Sequence, residues 1–208
     1  MFWEKIVRPV LFALDAERAH ELGMEALEAG FASPFYADDV TNSEFGEIER
    51  FGLKFGNPIG IAAGFDKNGR AVNQLASLGF GFVEVGTVTR RPQKGNDKPR
   101  MFRLPVDSAL INRLGFNNDG AEAVANRLLP LRRECVVGVN IGKNKDVPIE
   151  EAVENYLATF EIVHPVADYI AVNVSSPNTP NLRELQQVDS LRELLKALQN
   201  RNSEMGSK

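Results

Sequence analysis

Short apolar runs alternate with helix-like stretches along most of the chain. Four runs of branched or small apolar residues lie at Asn57–Gly64, Phe82–Val88, Val136–Gly142 and Tyr169–Val174. After each run, apolar residues recur at helical spacing, and the last such set is Leu191, Leu194, Leu195 and Leu198. This alternation predicts buried parallel strands connected by helices. An open doubly wound sheet and the first four units of a (β/α)8 barrel both fit the pattern.

The first 30 residues follow a different pattern, which predicts two amphipathic helices before the first strand. A turn-rich segment, residues 31–47, and a small hairpin around Gly52 are predicted to follow them. Pro9 divides the first helix, whose apolar residues recur every four positions: Phe2, Ile6, Val10 and Leu14. The second is predicted to start after a cap at Asp15 and to stop at Gly30. Its predicted buried face consists of Ala19, Leu22, Ala26 and Ala29. We expect residues 1–40 to form an arm and residues 45–208 to form the strand–helix domain.

The residues of the arm leave two roles open. It is either a packing element or an apolar collar for a membrane surface or a hydrophobic substrate, and Phe2 and Trp3 favour the collar. The sequence contains no run near the ~18 apolar residues of a membrane-spanning helix. Contact with a bilayer is therefore expected to be peripheral.

The composition argues against several functional classes. The net charge of −4 argues against nucleic-acid binding. Cys135 is the single cysteine, so an internal disulfide is impossible and a reducing compartment is expected. The two histidines, His20 and His164, are isolated and give no metal-ligand spacing, so no metal is expected.

Polar side chains gather where the predicted strands end. They are Asp66, Lys67 and Asn68, then Thr87 and Thr89, then Asn140 and Lys143, and finally Asn173, Ser176 and Asn178. A long basic connection, residues 89–117, is expected to be a functional loop and adds Asn112 and Asn117, with Asn118 next to it. The carboxyl ends of parallel strands meet at one edge, so we expect these groups to line one site. Amides suit a flat heterocycle, because each offers both a donor and an acceptor.

The residues alone leave the role of Ser176 open between a nucleophile and a general base. The sequence has no Gly-x-Ser-x-Gly elbow, and neither histidine is near Ser176 in the sequence, so the nucleophile is poorly supported.

Six motifs, in this order, resemble the dihydroorotate dehydrogenase family. They are Ala62–Gly69, Gly86–Thr89, Gly95–Arg100, Ile111–Asn117, Val139–Asn144 and Asn173–Pro180. The helical pair and Phe102–Leu104 resemble its membrane-associated, quinone-dependent class. The resemblance implies an α/β fold, a (β/α)8 TIM barrel of which only about the first four βα units are present, preceded by the helical pair. It also implies an FMN enzyme that oxidises dihydroorotate to orotate in pyrimidine biosynthesis, with a quinone as electron acceptor.

The resemblance also implies roles for individual residues. Ser176 is the catalytic base, where the soluble class has a cysteine, and Thr179 is a possible relay for its proton. The implied substrate residues are Lys67, Asn112, Arg113, Leu114, Gly115, Phe116, Asn173 and Asn178. The implied FMN residues are Ala63, Gly64, Phe65, Asp66, Lys67, Thr87, Asn140 and Asn173. Membrane association is expected to be peripheral, at the cytoplasmic face of a bacterial inner membrane or at a mitochondrial inner membrane.

Members of this family continue through four more strand–helix units, so we expect these 208 residues to be a fragment that binds FMN weakly alone. Two other functions stay open. One is another FMN barrel oxidoreductase that acts on a dihydropyrimidine, and the other is a non-catalytic membrane-surface module built on the arm.

Overall fold

A computed structural model describes residues 3–35, 46–179 and 181–206. A π-helical segment, Trp3–Val7, leads into the first of six α-helices: α1 Arg8–Ala13, α2 Ala16–Glu28, α3 Val72–Ser77, α4 Ala121–Leu128, α5 Ala152–Val163 and α6 Val188–Glu204. The strands in these ranges are β1 Ile48–Arg50, β2 Leu53–Phe55, β3 Gly60–Ile61, β4 Phe82–Val88, β5 Met101–Leu104, β6 Ala109–Asn112, β7 Val136–Ile141 and β8 Tyr169–Val172. Phe2, most of the predicted turn-rich segment 31–47, and Pro180 lie outside the described residues.

The main sheet has four parallel strands in the order β3-β4-β7-β8. Each strand lies beside the one that precedes it along the chain, and the first and last strands form the two edges. In a doubly wound sheet the strand order reverses at a switch point, so the first strand lies inside the sheet. The sequential order is that of a (β/α)8 barrel, and it settles the choice that the hydrophobic pattern left open.

The two faces of the sheet differ in chemistry. Val83 and Val85 of β4 and Val137 and Val139 of β7 point to one face, where they are buried with apolar side chains of α3 to α6. This burial supplies most of the apolar driving force for the fold. The alternate positions of the same strands form the opposite face, which carries polar groups such as Glu84 and Asn140. We call this opposite face the inner face, since it is the one a closed barrel encloses.

Helix α2 of the arm begins and ends where its capping residues predict, but the face that it buries differs from the predicted face. Asp15 caps α2 by accepting hydrogen bonds from the backbone N–H groups of Glu17 and Arg18. The predicted face is only partly buried, since Ala19, Leu22 and Ala26 are half-buried and Ala29 is exposed. The fully buried residues of α2 are Ala16, Glu17 and Met24. Met24 joins the apolar core. Within the described ranges, no helix has both the length and the apolarity needed to span a bilayer.

The long basic connection contains structure that its composition did not indicate. β5 and β6 form an antiparallel hairpin that pairs Met101 with Asn112. The strand predicted at Asn57–Gly64 is confined to Gly60–Ile61 in the structure. The small hairpin predicted around Gly52 is confirmed by the pairing of β1 with β2. Propensity misses the β5–β6 hairpin because Pro99 and Pro105 flank a strand of only four residues.

Candidate active site at the strand ends

Lys67 follows β3 and is the central cation of the strand-end region. Its Nζ donates to Asn117 Oδ1 at 2.5 Å. Burial, reinforced by the nearby Arg100, lowers the pKa of Lys67 to about 8, although Glu17 and Glu21 oppose the shift. The amine is therefore held by the amide oxygen of Asn117 and loses its proton more readily than an exposed lysine does. Shifted pKa values of this kind are common at functional sites.

Three of the predicted residues form one hydrogen-bonded row across neighbouring strands. Asn173 Nδ2 donates to Thr87 Oγ1 at 3.0 Å, and Thr87 Oγ1 donates to Asn140 Oδ1 at 2.6 Å. The row continues onto the inner face, where Asn140 Nδ2 donates to Glu84 Oε1 at 2.9 Å. Thr87, Asn140 and Asn173 are thus brought together at the carboxyl ends of β4, β7 and β8.

The Ser176 loop is joined to the loop that holds the predicted substrate residues. Ser176 is buried, and its Oγ accepts the backbone N–H of Asn178 at 3.2 Å. Asn178 Oδ1 accepts a hydrogen bond from Asn96 Nδ2 at 3.2 Å. Asn96 in turn donates to the carbonyl groups of Arg113 and Leu114. Hydrogen bonds therefore place Ser176 and Asn178 against segment 113–117, and Lys67 holds the far end of that segment through Asn117.

Segment 112–116 contributes backbone and apolar surface more than side-chain polar groups. Asn112 is exposed at the end of β6, and Arg113 donates from Nε and Nη2 to the carbonyl of Pro99. Leu114 faces an apolar cavity. Gly115 and Phe116 both have positive φ, which makes a tight turn. The Phe116 ring lies close to Gly142, where a Cβ would meet it at 3.1 Å.

Some strand-end polar groups are fully engaged in shaping loops. Asn118 accepts from the backbone N–H groups of Thr89 and Gly120, and it donates to the Thr89 hydroxyl. Asn144 bridges the backbone of Arg91 in the same way. The carboxylate of Asp66 accepts from the N–H groups of Arg70 and Ala71, so its side chain stabilises the start of α3. A role of Asp66 in binding FMN therefore rests on its backbone, and that role stays a prediction.

Three further residues of this region were missed by sequence reasoning. Glu84 occupies the inner face beside Asn140, and Asn96 links the two loops. Arg100 is buried and forms a bidentate ion pair with Glu17 of the arm, at 2.6 Å for the shortest contact. A signal did exist for Glu84, because it is the one charged residue in the strand Phe82–Val88.

The backbone at the strand ends leaves space for a flat group. Ala63 and Gly64 follow β3, and Gly64 has φ +108°. In the described chain, no heavy atom comes within 4 Å of the position a Gly64 Cβ would take, leaving aside Gly64 and its two chain neighbours. Thr179 has a buried hydroxyl without a hydrogen-bond partner among the described residues. An open backbone surface at the end of β3 fits a planar cofactor, and an unsatisfied hydroxyl after β8 fits a polar ligand.

An apolar cavity of about 640 Å³ lies between the arm and the end of β3. Leu11, Phe12, Ala16 and Met24 line it from the arm, and Met101 and Leu110 line it from the hairpin. Lys67 and Phe65 lie at the boundary between this cavity and the strand ends. The ring of Phe65 makes an edge contact with His20, with ring centroids 5.1 Å apart.

Fold and site together define a (β/α)8-barrel protein whose polar groups lie at the carboxyl ends of the strands. A family model described as "Dihydroorotate dehydrogenase" matches residues 47–206. The chain belongs to the dihydroorotate dehydrogenase family, which is flavin-dependent in general.

Relatives from several organisms are similar over nearly all of this chain. A protein from Stenotrophomonas maltophilia (strain K279a), named dihydroorotate dehydrogenase (quinone), is 49% identical over 207 residues, which are 98% of this chain and 58% of that protein. One of the same name from Roseiflexus sp. (strain RS-1) is 54% identical and covers 93% of this chain and 55% of its own length. The chain therefore spans a little over half the length of the curated relatives it matches.

Solved structures show the same fold. The crystal structure of Eimeria tenella DHODH in complex with ferulenol matches with a TM-score of 0.82 and 44% identity, over 90% of this chain and 51% of that one. The ligand-free form from the same organism matches with a TM-score of 0.84 and 43% identity, over 93% of this chain and 55% of that one.

Proposed function

We propose that this chain supplies the substrate-facing half of a quinone-linked dihydroorotate dehydrogenase. In this reaction dihydroorotate loses a proton and a hydride from adjacent ring carbons and becomes orotate. The observation that carries the proposal is the row Asn173–Thr87–Asn140, which lies at the strand ends beside the buried Ser176 loop. The match to curated relatives named dihydroorotate dehydrogenase (quinone) supports it.

The proposed cofactor is FMN, which supplies the hydride acceptor when bound. Ala63 and Gly64 offer backbone and free space, and Thr87, Asn140 and Asn173 offer polar atoms along one row. Phe65 and Asp66 continue the same turn, with Asp66 contributing backbone. Lys67 lies where its positive charge faces both the cofactor and the substrate.

Ser176 is proposed as the base that receives the ring proton of dihydroorotate. A serine hydroxyl holds its proton tightly, so it acts as a base only in a dry site with a path for its proton. Both conditions have structural support, because Ser176 is buried and the hydroxyl of Thr179, three residues away, is buried without a partner among the described residues. Asn173 and Asn178, together with Lys67 and segment 112–116, are proposed to orient the pyrimidine ring.

The cavity between the arm and β3 is the proposed site of the quinone. Its lining is largely apolar, and Lys67 and Phe65 connect it to the strand ends. The exposed apolar residues of the arm are proposed to rest on the bilayer from which a lipid-soluble quinone enters. Such a protein is peripheral to the cytoplasmic face of a bacterial inner membrane or to a mitochondrial inner membrane.

The proposal is tested in a chimera of this chain and the carboxyl-terminal part of the Stenotrophomonas maltophilia relative. Ser176→Ala is expected to slow flavin reduction by dihydroorotate by at least about 100-fold, since a positioned acid or base contributes roughly that much, while FMN stays bound. Stopped-flow absorbance of the flavin measures both. Ser203→Ala, on the exposed side of α6, is the control and is expected to react like the parent.

Two outcomes of this experiment contradict the proposal. Unchanged reduction in Ser176→Ala would remove Ser176 from the role of base. Reduction of the parent chimera by dihydrouracil but not by dihydroorotate would assign the site to another dihydropyrimidine.

A further inference from the structure

Glu84 is the acceptor at the inner end of the polar row. Its Oε1 accepts from Asn140 Nδ2 at 2.9 Å, and its Oε2 accepts from the hydroxyl of Tyr169 at 2.9 Å. The Tyr169 ring reaches Glu84 by crossing Gly138, where a Cβ would lie 2.1 Å from the ring. Burial and the contact with Glu84 raise the pKa of Tyr169, so its hydroxyl keeps its proton and remains a donor.

We propose that Glu84 is a positioning residue that fixes the orientation of the Asn140 amide, so that Asn140 presents an N–H group to the bound ligand beside the N–H group of Asn173. The identity of that ligand, FMN with dihydroorotate, rests on the proposed function. The direction of the hydrogen bonds follows from the groups present in the structure and does not rest on the proposed function.

The direction follows from the donor and acceptor capacity of each group. An ionised carboxylate only accepts, so Asn140 must turn Nδ2 toward Glu84 and Oδ1 toward Thr87. Thr87 then has to donate its single proton to Asn140 Oδ1, and its oxygen accepts from Asn173 Nδ2. At the other end of the row, the backbone N–H of Ser175 can only donate, so it holds Asn173 Oδ1 toward itself. Asn173 Oδ1 accepts the N–H and the hydroxyl of Ser175 at 3.1 and 3.0 Å.

The hydrogen bonds within the row leave only some polar atoms of Asn173 and Asn140 free for a ligand. Asn173 has both lone pairs of Oδ1 occupied by Ser175 and one N–H in use, so it offers a single N–H donor and no acceptor. Asn140 retains one N–H and one lone pair of Oδ1, since that oxygen accepts only from Thr87. The two free N–H groups of the row therefore favour a ligand edge that carries acceptors, such as carbonyl oxygens or unprotonated ring nitrogens.

A neutral residue in place of Glu84 removes this constraint. In Glu84→Gln the side chain keeps its shape but can donate as well as accept, so the Asn140 amide can take either orientation, while Ser175 N–H still holds Asn173. Tyr169→Phe is the matched control, because it removes the second partner of Glu84 but leaves an acceptor-only group facing Asn140. We expect two orientations of the Asn140 amide in Glu84→Gln and one in Tyr169→Phe.

Nuclear magnetic resonance of the ligand-free 208-residue chain tests the direction. The unmutated protein is expected to show nuclear Overhauser effects from the Asn140 side-chain amide protons to the Tyr169 ring. Glu84→Gln is expected to show doubled or broadened Asn140 amide signals, with a single set for Asn173. Amide protons of Asn140 that face only the Thr87 methyl in the unmutated protein would overturn the inference. This result does not depend on whether Glu84→Gln folds.

FMN titration of the chimera with the Stenotrophomonas maltophilia carboxyl-terminal part, followed by quenching of flavin fluorescence, tests the consequence for binding. Glu84→Gln is expected to weaken FMN binding about tenfold, the equivalent of one hydrogen bond, and Tyr169→Phe less than about threefold. Equal affinity of Glu84→Gln and the parent would overturn the inference. A parent that binds no FMN, with the expected amide orientation, contradicts the proposed function and supports the positioning role.

Discussion

At the scale of single residues, Lys67 shows how burial sets the chemistry of the site. Its amine is taken out of water and held by the amide oxygen of Asn117, without a carboxylate in direct contact among the described residues. The charged form therefore loses hydration without regaining an ion pair, and this is the main cause of its lowered pKa.

Lys67 is expected to titrate near pH 8 in the ligand-free protein, where burial lowers its pKa to about 8. The unfolded chain has a lysine pKa of about 10.4 and binds more protons between those values, so the contribution of Lys67 to stability rises with pH across that window. Lysine side-chain NMR signals followed against pH measure the midpoint, and Lys67→Met identifies the signal by its loss. A Lys67 midpoint near the unfolded lysine value of about 10.4 would contradict the prediction.

Gly138 is a second position where one added atom, a Cβ, would change the packing. Gly138→Ala would place a Cβ 2.1 Å from the Tyr169 ring, so the ring must leave Glu84 or β7 must shift. We expect a loss of about 2 kcal/mol in the free energy of unfolding, typical of overpacking.

Gly23 provides the matched control, since an added Cβ meets nothing within 4 Å in the described chain and the residue lies inside α2. Gly23→Ala is expected to stabilise the protein by about 0.5–1 kcal/mol through helix propensity. Chemical denaturation of both variants gives the comparison, and a neutral Gly138→Ala would show that the inner face adapts freely.

At the scale of elements, the arm is joined to the barrel by one buried ion pair. Glu17 of α2 and Arg100 are each 7% exposed in their side chains. Arg100 also donates to the carbonyl groups of Lys94 and Asn96, and Asn96 reaches Asn178. The arm that lines the apolar cavity and the loop beside Ser176 are thus connected through a single guanidinium.

Glu17→Gln is expected to destabilise the protein by about 3 kcal/mol, because it leaves Arg100 buried without its counter-charge. Hydrogen bonding from Arg100 lowers the pKa of Glu17. The stabilisation is therefore complete above the unfolded glutamate pKa of about 4.3 and is lost as pH falls through the folded value.

Glu25→Gln is the control, since its partner Arg18 is exposed and the pair is expected to contribute less than about 1 kcal/mol. Urea unfolding at pH 7 and pH 3 measures the difference between the variants. A Glu17→Gln effect that is equally large at both pH values would argue against the ion pair as its cause.

At the scale of the whole molecule, apolar side chains are exposed together at the amino-terminal end. Trp3 and Val10 are 51% and 61% exposed, and Phe31 and Phe35, which follow α2, are 75% and 77% exposed. Large exposed apolar residues concentrated in one segment of the chain are typical of a membrane or partner contact.

We expect the chain to co-sediment with anionic phospholipid vesicles, and we expect Trp3→Ser with Val10→Ser to reduce the bound fraction several-fold. Phe51→Ser is the control, because Phe51 is 96% exposed but lies in the turn between β1 and β2. An equal loss of binding in the Phe51 variant would indicate nonspecific adsorption, and no binding by the parent would remove the membrane role of the arm.

The strand–helix alternation, the limits of β4 and the cap at Asp15 could be predicted, because each follows from local period and local hydrogen bonding. The Glu17–Arg100 ion pair could not be predicted from local pattern, because its two residues are 83 positions apart in the sequence. The predicted buried face of α2 missed Glu17 for the same reason. A buried carboxylate is stable only beside a cation, and the local pattern does not contain that cation.

The sequence by itself determined that buried strands alternate with helices and that amides and Lys67 follow those strands. Its six motifs also pointed to the family. The tertiary structure supplied the sequential strand order, which agrees with the barrel implied by the six motifs and excludes the doubly wound sheet that the hydrophobic pattern left open. It also decided which amides face the site and which shape loops, because an amide takes its role from partners distant along the chain. Periodicity is a local property of the chain, whereas hydrogen-bond direction and ion pairing depend on which groups folding brings within about 3 Å of each other.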